Sequence, residues 1–140
     1  MDGCLFCSIV AGDVAAHVVL DEAEVVAFLD TRPVFKGHVL IVPRQHVDTL
    51  MDLPGALVMP LFTAAQRIGR ALEAPGGLDA DGVFVGINNR ISQSVPHLHV
   101  HAVPRRRKDG LRGFFWPRTK YADDDEAAGF AARIAAAIDG

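Results

Sequence analysis

The chain has 140 residues, of which 50% are hydrophobic and 22% are charged, and its formal net charge is −3. This length suits one domain of common size, and the apolar fraction excludes an intrinsically disordered chain. No apolar run reaches the roughly 18 residues that a membrane-spanning helix needs, and the mild acidity argues against general nucleic-acid binding. No signal peptide is expected either, because the first residues lack a basic segment and a long apolar one. We therefore expect a cytoplasmic protein with neither membrane nor nucleic acid as a partner.

The two cysteines of the chain form a close pair, Cys4 and Cys7. A disulfide across so short a loop would constrain little, and cytosolic proteins rarely keep structural disulfides. The spacing is typical of half a metal site or of a redox pair. A redox pair usually opens a helix in a βαβ unit, which the sequence does not predict. A metal site would need two further ligands from elsewhere in the chain.

Five apolar, β-branched runs bounded by turn residues predict strands. In chain order they cover residues 17–20, 24–30, 37–43, 82–88 and 97–104. The first two runs are separated by residues 21–23 only, which is short enough for an antiparallel hairpin.

Two further segments predict helices. The first begins at Pro60 and keeps apolar residues at helical spacing up to a stop at residues 75–77. In the second, Asp123 and Glu126 have the spacing of a capping box, and a stripe of Phe130, Ile134 and Ile138 follows. Several strands with few helices predict an α+β fold with a mainly antiparallel sheet.

A basic and aromatic segment separates the last strand from the last helix. Residues 105–120 hold seven of the fourteen basic residues against one acid, Asp109, and they include Phe114, Phe115 and Trp116. One interpretation is a solvated loop whose aromatic side chains pack on the sheet. The other is a basic lip beside an anionic substrate, or a segment that reaches a partner subunit.

Three histidines, His97, His99 and His101, recur at every second position of the last predicted strand. Because successive side chains of a strand point to opposite faces, the three imidazoles would share one face. Leu98, Val100 and Ala102 would then face a core. Imidazoles spaced about 6.7 Å apart on one face are costly to hold without a task. They could share a metal ion, or one could act as a nucleophile or base while its neighbours bind an anion.

The second hypothesis has chemical requirements of its own. A nucleophilic imidazole needs one free nitrogen, with the N–H of the other held by an acceptor such as a backbone carbonyl. Attack on phosphorus suits histidine, since the phosphoramidate that forms is easily hydrolysed. Donors must also converge on the phosphate oxygens. The chain offers as such donors Gln93, Ser94, His38, His101 and one asparagine of the pair at 88–89.

The run from His97 to Val103 has the pattern His-x-His-x-His-x-x with every x apolar. Together with residues 4–10, 26–30, 37–43 and 93–95, it resembles the histidine triad (HIT) superfamily of nucleotide hydrolases and transferases, in its Hint-like bacterial branch. The resemblance covers roughly residues 4–105. It implies a five-stranded antiparallel sheet with two main helices, paired in a homodimer with a ten-stranded sheet. Residues 1–140 would form one HIT domain, with 106–140 as a basic aromatic tail and C-terminal helix.

The resemblance also implies an activity: hydrolysis at the α-phosphate of a nucleoside phosphoramidate or a dinucleoside polyphosphate. A covalent nucleotidyl-histidine would form on His99, and a nucleoside monophosphate would be released. His101 would bind or polarise the phosphate, and His38 would support His99 or the phosphate. Ser94 would help protonate the leaving group or hold a non-bridging oxygen. The purine nucleotide would be bound by Asp30 at the ribose, by Phe6, Ile9 and Phe28 around the base, and by Asn88 and Gln93 near the phosphate. The three apolar residues at the base have a simpler alternative as plain core.

In zinc-containing members of this superfamily the cysteine pair is joined by two histidines. The ligands implied for this sequence are Cys4, Cys7, His46 and His97. Two thiolates and two imidazoles make a closed tetrahedral site, which is structural rather than catalytic. His46 could alternatively be a surface histidine at a strand end. Two other functions stay open beside the hydrolase, namely a nucleotide-binding sensor or adaptor with little turnover, and a nucleotidyl transferase.

Overall fold

The computed structural model describes residues 3–111 and 118–138. The chain forms two compact units, Met1–Asp109 and Gly110–Gly140. The elements in chain order are α1 (Leu5–Val10), β1 (Val18–Asp21), β2 (Val25–Leu29), β3 (Val39–Pro43), a 3₁₀ turn (Leu50–Asp52), α2 (Gly55–Glu73), β4 (Gly82–Gly86), β5 (Val100–Arg105) and α3 (Asp124–Ala137).

The first unit is built on one five-stranded sheet with the order β1-β2-β3-β5-β4, in which all neighbours are antiparallel. The predicted five-stranded antiparallel sheet is therefore confirmed. The predicted hairpin joins β1 to β2, with the Glu22 amide donating to the Val25 carbonyl over 2.9 Å. Strand β5 pairs with both β3 and β4, so His101 lies opposite Leu40 on one side and Gly86 on the other.

The two faces of the sheet bury different apolar clusters. On one face α2 covers a core that includes Leu98, Val100 and Ala102, as the alternation of the histidine segment predicts. On the other face Phe6 of α1 packs with a second cluster that includes Phe28 and Leu40. Strands β2 and β3 contribute residues to both clusters, which explains why they are continuously apolar rather than alternating.

Helix α2 begins five residues earlier than predicted. The sequence places Pro60 at the first helical position, but the helix starts at Gly55 and Pro60 lies inside it. Proline is favoured in the first turn because its missing amide hydrogen is not needed there. Here Pro60 lies beyond that turn, and the free energy gained by burying the apolar face of the helix outweighs the cost of the missing backbone hydrogen bond. Leu57, which precedes the proline, already packs against the core.

Two local features near the cysteines and histidines also differ from the predictions. The cysteine pair lies at the start of a short helix, α1, which has too few residues to show a periodic pattern. This helix is not part of a βαβ unit in the described sheet. Strand β5 begins at Val100 rather than at His97. The backbone before it is bonded elsewhere, since the Leu98 amide donates to the Val47 carbonyl over 2.8 Å.

Gly37 has a backbone conformation that only glycine adopts without strain. Its φ is +99°, and a Cβ there would collide with the Leu78 side chain. We expect Gly37→Ala to lower the free energy of unfolding by about 1–3 kcal/mol, measured by urea denaturation. Gly76→Ala is the matched control, because Gly76 has open space around its Cα and no positive φ. Equal urea midpoints for the two variants would contradict this account.

The second unit contains α3. Asp123 is its N-cap and accepts a hydrogen bond from the Glu126 amide over 2.8 Å, as predicted. The predicted stripe of Phe130, Ile134 and Ile138 is exposed. Residues 112–117, with the aromatic side chains singled out in the sequence, lie outside the described residues. In the described part of the chain no helix is long and apolar enough to cross a membrane.

Candidate functional site

A cleft on the α1 side of the sheet brings together most of the predicted catalytic and nucleotide-binding residues. It has a volume of about 390 Å³. Its chemically active wall consists of His99, His101, Ser94 and Asp30, and its apolar wall includes Phe6, Ile9, Phe28, Leu5, Val14 and Leu40. The first unit has a larger cavity, about 600 Å³, on the α2 side, but its lining is apolar apart from Lys36 and Arg67. Chemistry rather than size therefore identifies the smaller cleft as the candidate site.

His99 is held in one tautomer by its neighbour in the chain. Its Nδ1 lies 2.7 Å from the backbone carbonyl oxygen of His97, which can only accept, so Nδ1 carries the hydrogen. In this tautomer the free electron pair of the ring is on Nε2. The ring is buried, and it packs edge-on against Phe6 and His101 at centroid distances of 5.0 and 4.9 Å. This is the arrangement that a nucleophilic imidazole requires.

His38 and His101 form a second, directional chain. The Val34 amide donates to Nδ1 of His38 over 3.1 Å, which leaves the His38 hydrogen on Nε2. That Nε2–H donates to Nδ1 of His101 over 2.9 Å, so His101 in turn carries its hydrogen on Nε2. His38 thus acts on His101, whereas the sequence left open whether it supports His99 or the phosphate. His101 is left with one N–H donor for an oxygen in the cleft.

Burial keeps both rings of this chain neutral. It lowers the pKa of His38, against the opposing effect of Asp30. Burial, followed by electrostatic repulsion between a protonated His101 and the adjacent His99 and His38 imidazoles, lowers the pKa of His101 to about 4. Neutral rings are what the chain of hydrogen bonds needs, because protonation of His101 at Nδ1 would place two hydrogens between the rings.

The pKa of His101 predicts a pH dependence of stability. In the unfolded chain the ordinary value is 6.5, against about 4 in the fold, so the unfolded state takes up the proton first as the pH falls. Stability is full above the unfolded value and is lost progressively as the pH falls towards the folded value. We expect the urea midpoint to decrease between about pH 6.5 and pH 4 in wild type, and less so in His101→Asn. Parallel pH profiles for the two proteins would refute it.

Asp30 lies at the edge of the cleft beside this histidine chain. One carboxylate oxygen accepts the Arg32 amide over 2.9 Å, and the other is 3.7 Å from Nε2 of His38. Asp30, His38 and His101 are close enough together to hold a cation. The hydrogen bonds of His38 argue against a cation at this group. Its Nδ1 already accepts the Val34 amide, so Nε2 carries the ring hydrogen and has no free electron pair for a metal. The group is better described as a hydrogen-bonded chain with a free carboxylate oxygen.

A second cluster consists of Cys4, Cys7, His46 and His97, whose ligand atoms all lie within 4.8 Å of one another. Nδ1 of His97 is 3.5 Å from each cysteine Sγ, and Nδ1 of His46 is 3.2 Å from the Cys7 Sγ. A tetrahedral ion bound at about 2.3 Å from sulfur and 2.0 Å from nitrogen requires sulfur–nitrogen distances of about 3.5 Å. The four side chains therefore fit a metal ion.

The surroundings of this cluster support the same conclusion. Nε2 of His97 donates to the Pro43 carbonyl, and Nε2 of His46 donates to the Asp48 carboxylate, each over 2.9 Å. Both rings thus present a bare Nδ1 to the cysteines, with a second partner fixing the tautomer. Burial and the adjacent Cys4 raise the pKa of the Cys7 thiol, so a bound cation would favour the thiolate of Cys7.

The loop before β5 holds the remaining predicted residues. Ser94 lines the cleft, but Gln93 does not, and its side chain amide is bonded to backbone groups of Asp48 and Arg90. Asn88 is exposed, whereas Asn89 accepts the Leu50 amide over 2.8 Å. Asp48, which orients His46, was missed in the sequence. Its position two residues after a candidate ligand is the signal that could have found it.

Comparison with known proteins identifies the chain. The HIT domain family matches residues 11–108. The chain belongs to the HIT family. It is 35% identical over 129 residues to the protein named hit of Bacillus subtilis, which covers 88% of this chain and 83% of the relative. It is 31% identical to an adenosine 5′-monophosphoramidase of Saccharomyces cerevisiae, over 77% of this chain and 66% of that protein. An adenylylsulfatase of Arabidopsis thaliana is 30% identical over 77% of this chain and 55% of its own length.

Solved HIT structures share the fold. A HIT family member from Bacillus subtilis has a TM-score of 0.84 and 32% identity, covering 97% of both chains. A Zn-bound histidine triad family protein from Mycobacterium smegmatis has a TM-score of 0.74 and 34% identity, covering 96% of this chain and 97% of that one. The family and the HIT fold predicted from the sequence are therefore confirmed.

Proposed function

We propose that this HIT protein hydrolyses a purine nucleoside phosphoramidate and releases a nucleoside monophosphate. The observation that carries the proposal is the bare Nε2 of His99, whose Nδ1–H is held by the His97 carbonyl over 2.7 Å. A base-sized apolar wall and the free oxygen of Asp30 lie in the same cleft. The name of the yeast relative, an adenosine 5′-monophosphoramidase, supports the choice of substrate class.

In the first step Nε2 of His99 attacks the α-phosphorus, and the bond from phosphorus to the leaving nitrogen breaks. The positive charge on the phosphorylated ring is stabilised by the His97 carbonyl at Nδ1–H. The Nε2–H of His101 donates to a non-bridging oxygen, and the leaving amine takes a proton from the Ser94 hydroxyl. In the second step water attacks the phosphorus, its proton passes to the Ser94 oxygen, and His99 departs as a neutral ring.

The rest of the cleft binds the nucleoside. Asp30 accepts hydrogen bonds from the ribose hydroxyls through the carboxylate oxygen that Arg32 does not use. Phe6, Ile9 and Phe28 flank the base by apolar contact, and Asn88 is a further contact near the phosphate. We expect the apolar wall to contact the base, so that adenine and guanine bind alike by stacking.

The metal in this proposal is zinc, held by Cys4, Cys7, His46 and His97. Thiolate and imidazole ligands in a closed group of four are typical of structural zinc. The Zn-bound relative from Mycobacterium smegmatis supports that identity. When bound, zinc supplies folding free energy by tying α1 to the histidine segment.

The functional form in this proposal is a homodimer. Among the described residues β4 is an edge strand of the sheet, and beside it α2 exposes Met59 by 77% and Phe62 by 37%. With Val85 of β4, these side chains border a groove of about 1020 Å³, whose lining is mainly apolar but also includes Arg70 and Glu73. We expect Val85→Lys to reduce the mass measured by light scattering from two chains to one. The control is Val18→Lys on the opposite edge strand, because the Val18 side chain is about as exposed as that of Val85. A wild-type protein that is monomeric at micromolar concentration would overturn the dimer.

The proposed activity is tested with adenosine 5′-phosphoramidate and a series of diadenosine polyphosphates, with products identified by mass spectrometry. Release of AMP from the phosphoramidate in preference to the dinucleotides is the expected result. Preference for the dinucleotides would change the substrate class but keep the nucleotidyl-histidine. Tight nucleotide binding by calorimetry without turnover would replace the hydrolase with a nucleotide sensor or adaptor. A nucleotide transferred to an added phosphate acceptor would indicate a transferase.

A further inference from the structure

The loop that carries Ser94 into the cleft contains two unfavourable backbone conformations. Arg90 has φ of +72° and Ser92 has φ of +60°, and neither residue is a glycine. Such conformations cost free energy and persist only where surrounding contacts enforce them. Contacts with the rest of the chain must therefore hold this loop, and these contacts also fix the position of the Ser94 hydroxyl.

Gln93 supplies that restraint with both halves of its amide. Its Nε2 donates to the Asp48 carbonyl over 2.6 Å, and its Oε1 accepts the Arg90 amide over 2.8 Å. The side chain therefore links the loop to residue 48 and also closes the loop on itself. Ser94 and Val95 line the cleft, and Gln93 is outside its lining. The oxygen and the nitrogen of the Gln93 amide thus each have a backbone partner.

The two hydrogen bonds of the Gln93 side chain amide, to Asp48 and Arg90, are called the clasp below. Asp48 connects this clasp to the metal ligands. Its carboxylate accepts from Nε2 of His46 over 2.9 Å, while its backbone carbonyl accepts from Gln93. A further hydrogen bond links the same two segments, because Oδ1 of Asn89 accepts the Leu50 amide over 2.8 Å. The segment from His46 to Leu50 thus borders the metal group at one end and the catalytic loop at the other.

We infer that Gln93 is a positioning residue that couples the metal group to Ser94. The coupling runs from His46 through Asp48 to Gln93, and it fixes the hydroxyl that protonates the leaving group. The inference rests on the proposed function for the role of Ser94. The clasp itself is independent of catalysis. Its test therefore uses a structural readout first and an enzymatic one second.

The structural readout is hydrogen exchange at the Arg90 amide, whose acceptor is Gln93. We expect Gln93→Ala to speed this exchange roughly tenfold, with bound zinc unchanged by atomic absorption. Removal of zinc from wild type with a chelator should speed it as well, because His46 and Asp48 lose their order. The amide of Ala27, in the buried strand β2, serves as the internal reference. Unchanged Arg90 exchange in Gln93→Ala would overturn the clasp, and exchange unaffected by the chelator would overturn the coupling.

The enzymatic readout compares two leaving groups. An alkylamine phosphoramidate of AMP needs a proton on the departing nitrogen, whereas the 4-nitrophenyl ester of AMP releases a phenolate that needs none. In Gln93→Glu a carboxylate oxygen faces the Asp48 carbonyl in place of the amide donor, so the clasp opens. We expect kcat on the amine substrate to fall roughly tenfold with KM nearly unchanged, and kcat on the ester to be nearly unaffected.

A double-mutant cycle separates positioning from direct contact. If Gln93 acts through Ser94, the combined Gln93→Glu and Ser94→Ala variant loses no more than Ser94→Ala alone. Gln45→Glu adds the same charge at an exposed position of the neighbouring segment and is the matched control. A KM raised equally for both substrates would show that Gln93 contacts the nucleotide and would overturn the inference. Inactivity of wild type on every substrate would refute the proposed function, while the Arg90 exchange would still decide the clasp.

Discussion

Replacement of His99 by asparagine is expected to lower kcat on adenosine 5′-phosphoramidate by at least about 10⁴-fold. Asparagine can still donate towards the His97 carbonyl, but it has no nitrogen with a free electron pair to attack phosphorus. The covalent nucleotidyl adduct should appear in wild type during the first turnover and be absent from His99→Asn. Rapid quenching followed by mass spectrometry of the intact protein makes both measurements.

The control for this variant is His17→Asn, because His17 is an exposed histidine outside the cleft. Its activity should equal that of wild type. Folding of His99→Asn is checked by its urea midpoint and zinc content, since His99 is buried. A folded His99→Asn protein that keeps full turnover would show that another group attacks the phosphorus.

Replacement of Cys7 by serine is expected to remove bound zinc and to lower Tm by roughly 10 °C. A ligand that binds the folded state at far above its Kd contributes several kcal/mol, and that contribution is lost with the thiolate. Cys7 is the better choice than Cys4, whose Sγ also caps α1 by accepting the Cys7 amide. Zinc is counted by atomic absorption and Tm is measured by calorimetry.

The chelator provides the internal control for this variant. Wild type stripped of zinc should melt at the temperature of Cys7→Ser, and the chelator should leave the melting of Cys7→Ser unchanged. Residual activity should persist in the folded variant, since no ligand of this group attacks the substrate. One zinc per chain in Cys7→Ser would show that the ligand set is wrong.

Much of the fold could be predicted because its signals are local. Alternation of apolar residues around His99 and His101 predicts which face of the sheet is core, and the structure agrees. The three residues between β1 and β2 predict a hairpin, and Asp123 with Glu126 predicts the start of α3. In each case the pattern and the structure that it encodes span only a few residues, so no distant contact is needed to interpret it.

Other features could not be predicted because contacts between distant segments decide them. The bonding of His38 to His101 rather than to His99 depends on the pairing of β3 with β5. The use of the Gln93 amide by Asp48 and Arg90 depends on two loops meeting. The start of α1 directly after Cys4 and the early start of α2 depend on burial that short or proline-interrupted patterns do not reveal.

The sequence by itself determined the sheet, its apolar faces and the family, because periodicity and motif are properties of the local chain. The tertiary structure alone decided which nitrogen of each histidine carries a hydrogen. That choice depends on the Val34 amide for His38 and on the His97 carbonyl for His99. A tautomer follows from the partner that each ring nitrogen meets, and those partners are set only when the backbone has closed around the ring.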